Sequence, residues 1–363
     1  MEICRVEINE NASSSYDILI GRGLFDNLAD ELKKNPIANS YAVISDSNVG
    51  IAHGRRLVKN FRSGGINAHL FTFAAGEKSK SRRTKEIIED EMLKHELKRD
   101  TCIIALGGGV VGDVAGFAAA TYMRGVPYIQ VPTTLLAQVD SSIGGKVGVN
   151  TKYAKNIIGA FYQPKKVIID LNFLKTLPKN ELSNGLAELI KHAAIKDKNF
   201  FHFLETNMDE ILKYDLDLLK SAVRRSCEIK ASVVAQDEKE KGVRMLLNYG
   251  HTIGHAIESA LSYKIGHGSA ISIGMACAAR LSAKLGYLQE GSVLRQNNLL
   301  SYIGLPHKIS HHKLKPKKIL QHLVYDKKIV NEKINFVLLN SIGDSFISDE
   351  VIMDDIKNVL EEN

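Results

Sequence analysis

Thr101-Cys-Ile-Ile-Ala-Leu106-Gly107-Gly108-Gly109-Val110-Val111-Gly112-Asp113 is the stretch from which the fold reads outward. Its first six residues form an apolar, β-branched run ending in glycine, the pattern of a strand buried on both faces. Gly107, Gly109 and Gly112 satisfy G-x-G-x-x-G. Glycine suits those positions because the backbone must turn sharply and approach a pyrophosphate closely. The helix that follows then offers free N–H groups to the phosphates. The motif alone is weak, but a strand before it and a helix after it give it the right setting. Two features depart from the plain fingerprint. This strand is not the first of its sheet, and no acidic residue ends a strand about 20 residues later. Asp46, at the end of an earlier apolar run, could bind the ribose instead. The plainer alternative is a glycine-rich turn that only packs a helix on a sheet.

Strand-like and helix-like stretches alternate on both sides. Residues 41–45 read as a strand ending at Asp46, 49–61 as a helix and 68–73 as a strand. Residues 79–97 read as a long amphipathic helix with Ile87, Ile88, Met92 and Leu93 on one stripe. Residues 126–131 and 167–170 are further strands, and the first thirty residues suggest two more strands and a helix. This alternation predicts an α/β N-terminal domain, Rossmann-like, with a mostly parallel sheet. Past Leu177-Pro178 the texture changes. Residues 181–195, 200–213, 216–235, 251–261 and 269–285 carry helical periodicity, and the first convincing strand is 334–339. An all-α C-terminal domain is expected, dividing the chain into 1–177 and 178–363. No internal repeat appears.

The chain has 363 residues, enough for two domains at about 150 residues each. Hydrophobic residues make up 44% and charged residues 25%, which excludes wholesale disorder, collagen and coiled coil. The net charge, 48 − 41 = +7, is modest for this length. No basic block is denser than Lys78-Ser79-Lys80-Ser81-Arg82-Arg83. Small anionic ligands fit that balance better than nucleic acid. Cys4, Cys102, Cys227 and Cys277 form no C-x-x-C. Neither a disulfide framework nor a cysteine zinc site is expected, and reduced thiols in the cytoplasm are the simple reading. MEICRVEINENASSS has no apolar core of a signal peptide, and no apolar run reaches the ~18 residues of a membrane span.

Two further regions carry chemistry. Ser141-Ser-Ile-Gly-Gly-Lys146-Val147 looks like a P-loop but fails: Asp140 stands where the first glycine belongs, and Val147 where Ser or Thr should follow the lysine. A nucleoside-triphosphate machine is disfavoured, though a lysine after two glycines still suits an anion. Three histidines fall within seventeen residues: His251, His255 and His267. On spacing, His251 and His255 at i,i+4 are the natural ligand pair on one helix face. No H-E-x-x-H is present, so a metalloprotease is unsupported. A carboxylate ligand could come from Glu188, with Lys191 at i+3 and His192 at i+4; His192 is a rival ligand by geometry. Arg124, Lys146, Lys152, Lys155, Lys191, Lys230, Arg244, Lys327 and Lys328 surround these motifs. A small substrate bearing phosphate and carboxylate would explain several of them at once.

Taken together, several stretches resemble the 3-dehydroquinate synthases of the sugar-phosphate cyclase superfamily. They are the glycine turn to Asp113, Tyr122-Met-Arg124-Gly, Pro132 through Asp140-Ser-Ser-Ile-Gly-Gly-Lys146, and Lys155-Asn156-Ile-Ile-Gly-Ala-Phe. Gly-Leu-Ala-Glu188-Leu-Ile-Lys191 and Asn248-Tyr-Gly-His251-Thr-Ile-Gly-His255-Ala-Ile-Glu258 complete the set. The match runs in order from about Asp46 to Lys328. It implies a dehydroquinate synthase-like fold, usually a homodimer, with bound NAD+ and a divalent metal, Zn2+ or Co2+. It also implies the second step of the shikimate pathway. There 3-deoxy-D-arabino-heptulosonate 7-phosphate becomes 3-dehydroquinate and phosphate. The route is transient oxidation, phosphate β-elimination, reduction and intramolecular aldol closure.

By position, the resemblance assigns the metal to Glu188, His251 and His267. His255 then becomes a substrate contact or proton-transfer partner. It implies NAD+ contacts at Asp46 and Asn48, at Gly76, Glu77, Lys78, Ser79 and Lys80, and at Gly108, Gly109, Val110, Val111, Gly112 and Asp113. Thr133, Thr134, Asp140, Lys146 and Lys155 would line the path, and Phe173, Leu174, Lys175 and Thr176 would complete it. Substrate contacts would be Asp140, Lys146, Asn156, Lys191, Lys230, Arg244, Asn248, His255 and one of Lys327 or Lys328. Arg124 would reach the neighbouring subunit's site. One departure stands out: Ser269 replaces the glutamate common after the His-Gly of the third ligand, a change expected to tune metal affinity without removing a ligand. The rivals are a sister cyclase of the 2-deoxy-scyllo-inosose or valiolone synthase type and a metal-dependent polyol dehydrogenase.

Overall fold

The structure is a computed structural model describing residues 1–8, 14–312, 314–325, 329–330 and 333–362. The chain divides into two compact units. The first comprises Met1–Leu177 with Lys230–Glu238, and the second Pro178–Ile229 with Lys239–Asn363. The expected division at 177/178 therefore needs one correction: Lys230–Glu238 belongs with the first unit. Within that unit the Lys230 ammonium binds the Asp140 carboxylate at 2.5 Å, and Gln163 donates to Glu238 at 2.8 Å.

The first unit is built on a seven-stranded sheet. Its strands are β1 (Glu2–Val6), β2 (Tyr16–Gly21), β3 (Ser40–Asp46), β4 (Asn67–Phe73), β5 (Thr101–Gly107), β6 (Tyr128–Pro132) and β9 (Lys166–Asp170). They lie in the order β1-β2-β9-β6-β5-β3-β4. Every neighbouring pair is parallel except β1–β2. Helices α1 (Leu28–Lys34), α2 (Arg55–Ser63), α3 (Arg82–Lys94) and α4 (Gly109–Thr121) connect and cover the strands. Period-two alternation explains why the central strands read as unbroken apolar runs. Tyr41 and Val43 of β3, with Cys102, Ile104 and Leu106 of β5, enter one core with Leu57 and Phe61 of α2. Ala42 and Ile44, with Ile103 and Ala105, enter the other with Val114 and Ala118 of α4. A strand covered on both faces has no polar side to show.

The sequence reading gave no element to residues 146–161, where a short antiparallel hairpin forms from β7 (Lys146–Val149) and β8 (Ile158–Phe161). Four-residue strands rich in glycine give too few periods to register.

The second unit carries α5 (Lys179–Lys196), α6 (Lys198–Leu212), most of α7 (Leu216–Gln236), α8 (His251–Ala260), α9 (His267–Lys284), α10 (Glu290–Tyr302), α11 (Pro316–Tyr325) and α12 (Met353–Glu362). Each expected helix is present, with ends shifted by a few residues. The unit is helical but not wholly so. The pairs β10 (Ile329–Val330)–β11 (Lys333–Ile334) and β12 (Phe336–Ser341)–β13 (Asp344–Ser348) are antiparallel. Phe336 and Leu338 join Ile257 of α8, Ile273 and Leu281 of α9, Ile319 of α11 and Ile356 of α12 in one core. The four cysteines are free thiols, all buried. Among the described residues, no helix is long and apolar enough to cross a membrane.

Candidate functional site

In the first unit, the chain steps from β3 outward to β4, then back across β3 to β5. Strand order therefore reverses between β3 and β5, and the crevice beyond the carboxyl ends at such a reversal is where open α/β sheets bind ligands. The expected cofactor residues follow these carboxyl ends. Asp46 closes β3, and its Oδ1 accepts from the backbone N–H of Asn48 (2.8 Å) and Val49 (3.0 Å). Beyond β4 lie Gly76, with φ +109°, the 3-10 turn Glu77–Ser79 that includes Lys78, and Lys80. Gly108 precedes α4, and among the described residues no side chain caps that helix at its start. Its first N–H groups are thus left to an external acceptor.

The glycines of this turn serve packing as well. A Cβ on Gly107 would lie 2.5 Å from Val111, and one on Gly112 would lie 2.9 Å from Gln130. The plainer sequence alternative is therefore partly true: two of the three motif glycines let α4 settle on the sheet. Gly108, Gly109 and Val110 are partly exposed at its mouth.

Thr133 and Thr134 follow β6. The Thr133 hydroxyl is buried without a hydrogen-bond partner among the described residues, a donor and acceptor suited to an incoming polar ligand. Buried Lys80 and half-buried Asp113 form an ion pair. Burial pushes the Asp113 carboxyl up, and the Lys80 ammonium opposes that shift. Asp140 lies in the π-helical turn Ala137–Ser141, held by Lys230. Lys146 opens β7 and is exposed. Lys155 is half-buried, and Asn156 is exposed at φ +56° with its N–H on Asn150 Oδ1 at 3.0 Å. Lys152 lies over the Tyr153 ring. Exposed Arg124, at φ +69°, follows Met123 at φ +49° in a strained turn.

The 3-10 turn Leu171–Thr176 contains Phe173, Leu174, Lys175 and Thr176. Leu174 is fully buried and Phe173 packs edge-on against Phe25 and His53. Their rings and chains belong to the core, which leaves backbone, Lys175 and Thr176 to face outward.

In the second unit, three helices converge. Glu188 sits in mid-α5, while His251 and His267 are the first residues of α8 and α9. One atom from each lies within 4.8 Å of the others. Glu188 Oε1 is 3.7 Å from His251 Nε2 and 3.6 Å from His267 Nε2. Close helix contacts create this meeting. A Cβ on Gly274 of α9 would collide with the Gly250 carbonyl oxygen just ahead of α8. One on Gly268 would lie 2.6 Å from Asn184 Cα of α5. Asn184 also accepts the Gly268 N–H at 3.2 Å, fixing the start of α9.

The electrostatics suit a cation. Glu188 is fully buried, and among the described residues neither oxygen receives a well-directed hydrogen bond, although the Lys191 ammonium contacts Oε2. Burial raises the Glu188 carboxyl, but Lys191, His267 and His251 outweigh it and hold it well below the usual carboxylate range. Burial, aided by Lys191, pushes His251 well below the usual imidazole value, so it is neutral with a lone pair to give. Two imidazoles and one carboxylate are the donors that zinc and cobalt accept with open positions left over.

The helix-face pair suggested by i,i+4 spacing is not the cluster that forms. His255 lies beside His251, ring centroids 5.2 Å apart, but outside the three-residue group. His192 Nδ1 bonds Ser226 Oγ at 2.7 Å, yet His192 also has a ligand atom within 4.8 Å of Glu188 in a second candidate group, so its place as a rival ligand stands. Arg244 is buried in the 3-10 turn Val243–Asn248, and Asn248 donates to Glu240 at 2.8 Å. Lys327 and Lys328 lie outside the described residues. The sequence reading passed over Glu258, whose Oε1 lies 3.4 Å from His267 Nδ1. Its place seven residues after His251, two helical turns along the same face, was the available signal.

The family described as 3-dehydroquinate synthase N-terminal matches residues 70–184, and 3-dehydroquinate synthase C-terminal matches residues 185–329. The chain belongs to the 3-dehydroquinate synthase family. A 3-dehydroquinate synthase of that family, from Desulforamulus reducens (strain ATCC BAA-1160 / DSM 100696 / MI-1), is 46% identical over 347 residues. That alignment covers 95% of this chain and 96% of the relative. Among solved structures, 2-deoxy-scyllo-inosose synthase complexed with carbaglucose-6-phosphate, NAD+ and Co2+ matches with a TM-score of 0.89 at 28% identity, over 100% of both chains. The 2-epi-5-epi-valiolone synthase from Streptomyces hygroscopicus subsp. jinggangensis 5008, with NAD+ and Zn2+ bound, gives 0.88 at 28%, over 96% of each. The fold expected from the sequence, a mostly parallel α/β part followed by a helical part, is the fold of these cyclases.

Proposed function

We propose that this protein is a 3-dehydroquinate synthase, converting 3-deoxy-D-arabino-heptulosonate 7-phosphate to 3-dehydroquinate and phosphate. The observation that carries the reading is the convergence of Glu188, His251 and His267 in a chain 46% identical to a relative of that name. Residues 1–177 would hold NAD+. The start of α4 and the buried Thr133 hydroxyl, neither with a side-chain partner among the described residues, support that assignment. Residues 178–363 would supply the metal ligands and most substrate contacts.

NAD+ held by the first unit's residues named above would supply a hydride acceptor regenerated in each turnover, and a divalent metal held by Glu188, His251 and His267 would supply Lewis acidity toward substrate hydroxyls. The chain's own residues do the rest. Glu188 stays ionised because Lys191 lies beside it, so the site keeps a carboxylate ready without a proton to displace. Lys146, Lys230 and Arg244 would neutralise phosphate and carboxylate; the planar guanidinium fork of Arg244 matches a carboxylate best. Asn156 and Asn248 would orient hydroxyls, and His255 would move a proton. Holding each intermediate in one conformation is the main catalytic task. We further assign a homodimer in which Arg124 serves the partner's site, and a cytoplasmic location, which four free thiols support.

The test mixes protein, Zn2+ and a catalytic trace of NAD+ with the heptulosonate phosphate, following phosphate and NADH absorbance together. The expected result is many phosphates per NAD+, no lasting NADH, and loss of release in Glu188→Ala. Stoichiometric NADH without phosphate would mean a dehydrogenase. Silence with this substrate and turnover of a sugar phosphate lacking a carboxylate would mean a sister cyclase.

A further inference from the structure

We infer that Glu258 is a positioning residue for the metal site, acting through His267; this rests on the metal reading above. The two ligand histidines have different outer partners. His251 Nδ1 lies 3.2 Å from the Tyr249 carbonyl oxygen. His267 Nδ1 lies 3.4 Å from Glu258 Oε1. A carbonyl oxygen can only accept, and so can an ionised carboxylate. Both Nδ1 atoms must therefore carry hydrogen and donate outward. Both Nε2 atoms are left to face Glu188 Oε1, at 3.7 and 3.6 Å. The ring orientation needed for three-point ligation is thus set before any ion arrives, and Nε2, facing Glu188, is the nitrogen left to give up its proton or lone pair to the ion.

The partners are not equivalent. A carboxylate pulls harder on the Nδ1 proton than a carbonyl does, which makes the opposite nitrogen the better electron donor. Glu258 is itself buried at 3% exposure, while the His267 side chain is 29% exposed, so water reaches the contact only from the histidine's side. It stands in the last turn of α8, while His267 opens α9. Glu258 therefore also ties the end of one ligand-bearing helix to the start of the next. Removing its charge should weaken the His267 bond and loosen that ring, leaving His251 on its carbonyl.

The experiment measures Zn2+ affinity of the full chain by competition with a chromophoric chelator, and the visible absorption spectrum of the Co2+-loaded protein. Glu258→Gln keeps an acceptor and nearly the same shape but removes the charge; Glu258→Ala removes both. The expected result is a graded loss within the 10- to 100-fold range typical of such outer partners, smaller for Gln, with an altered Co2+ spectrum in each. Far-UV circular dichroism of the metal-free Gln variant should match wild type, so misfolding is not the cause. His267→Ala serves as the reference for a lost ligand. Wild-type affinity and an unchanged Co2+ spectrum in both Glu258 variants, while His267→Ala binds poorly, would overturn the inference alone. Undiminished binding in His267→Ala would overturn the metal reading itself, and the inference with it.

Discussion

At His267, two carboxylates decide the proton. Burial works against the charged ring, but Glu188 and Glu258 outweigh it, and the pKa rises to about 9. Metal ligation needs a neutral imidazole. At pH 7.5, uptake of Zn2+ by the metal-free protein should therefore expel close to one proton from this ring. The release should fade as the pH rises past about 9. Calorimetric titrations in two buffers of different ionisation enthalpy would count the protons; none released at pH 7.5 would contradict the assignment. The same shift sets a stability trend for the metal-free chain. Because the folded value lies above the ordinary 6.5, the contribution is complete below about pH 6.5 and lost as the pH climbs through 9. His251, shifted the other way, acts oppositely: its contribution is present above the ordinary value and lost as the pH falls below it.

Among elements, α8 and α9 deserve the decisive substitution. Because a Cβ at Gly274 would strike the Gly250 carbonyl, with Gly254 N only 2.9 Å away, Gly274→Ala must push the two helices apart. We expect a loss of about 1–3 kcal/mol or more, the range for overpacked cores. Zn2+ affinity should fall with it, since the same contact sets the spacing of His251 and His267. Gly291 in α10 meets nothing within 4 Å, so Gly291→Ala should leave urea stability and metal binding near wild type. Equal behaviour of the two variants would refute the account. This contact also marks what the sequence could reveal. Helices and parallel strands were legible because periodicity is local: Ile44 and Val43 face opposite cores by alternation alone. The ligand set was not legible by spacing. His251 and His255 satisfy a helix-face rule, whereas His251 and His267 meet only because two glycines let separate helix starts converge. Resemblance supplied the set that the structure brings together, whereas spacing alone pointed to His255.

At the scale of the whole molecule, two compact units divide the labour proposed above, cofactor in one and metal in the other. The division is not a single cut, since Lys230–Glu238 returns to the first unit. A truncation at residue 177 would remove the Lys230 that binds Asp140, a reason to study the chain entire. The homodimer proposed above predicts that sedimentation of the native protein gives twice the mass of one 363-residue chain. A single-chain mass at working concentrations would remove the shared role given to Arg124. The four thiols have a use of their own. Cys4 and Cys102 are buried in the first unit, and Cys227 and Cys277 in the second. Burial pushes the Cys102 thiol far up, which keeps it protonated and unreactive while the fold is closed. Each unit thus carries two silent reporters. The rate at which an alkylating reagent finds them is a clock for local opening, read separately for each half of the chain without any added label.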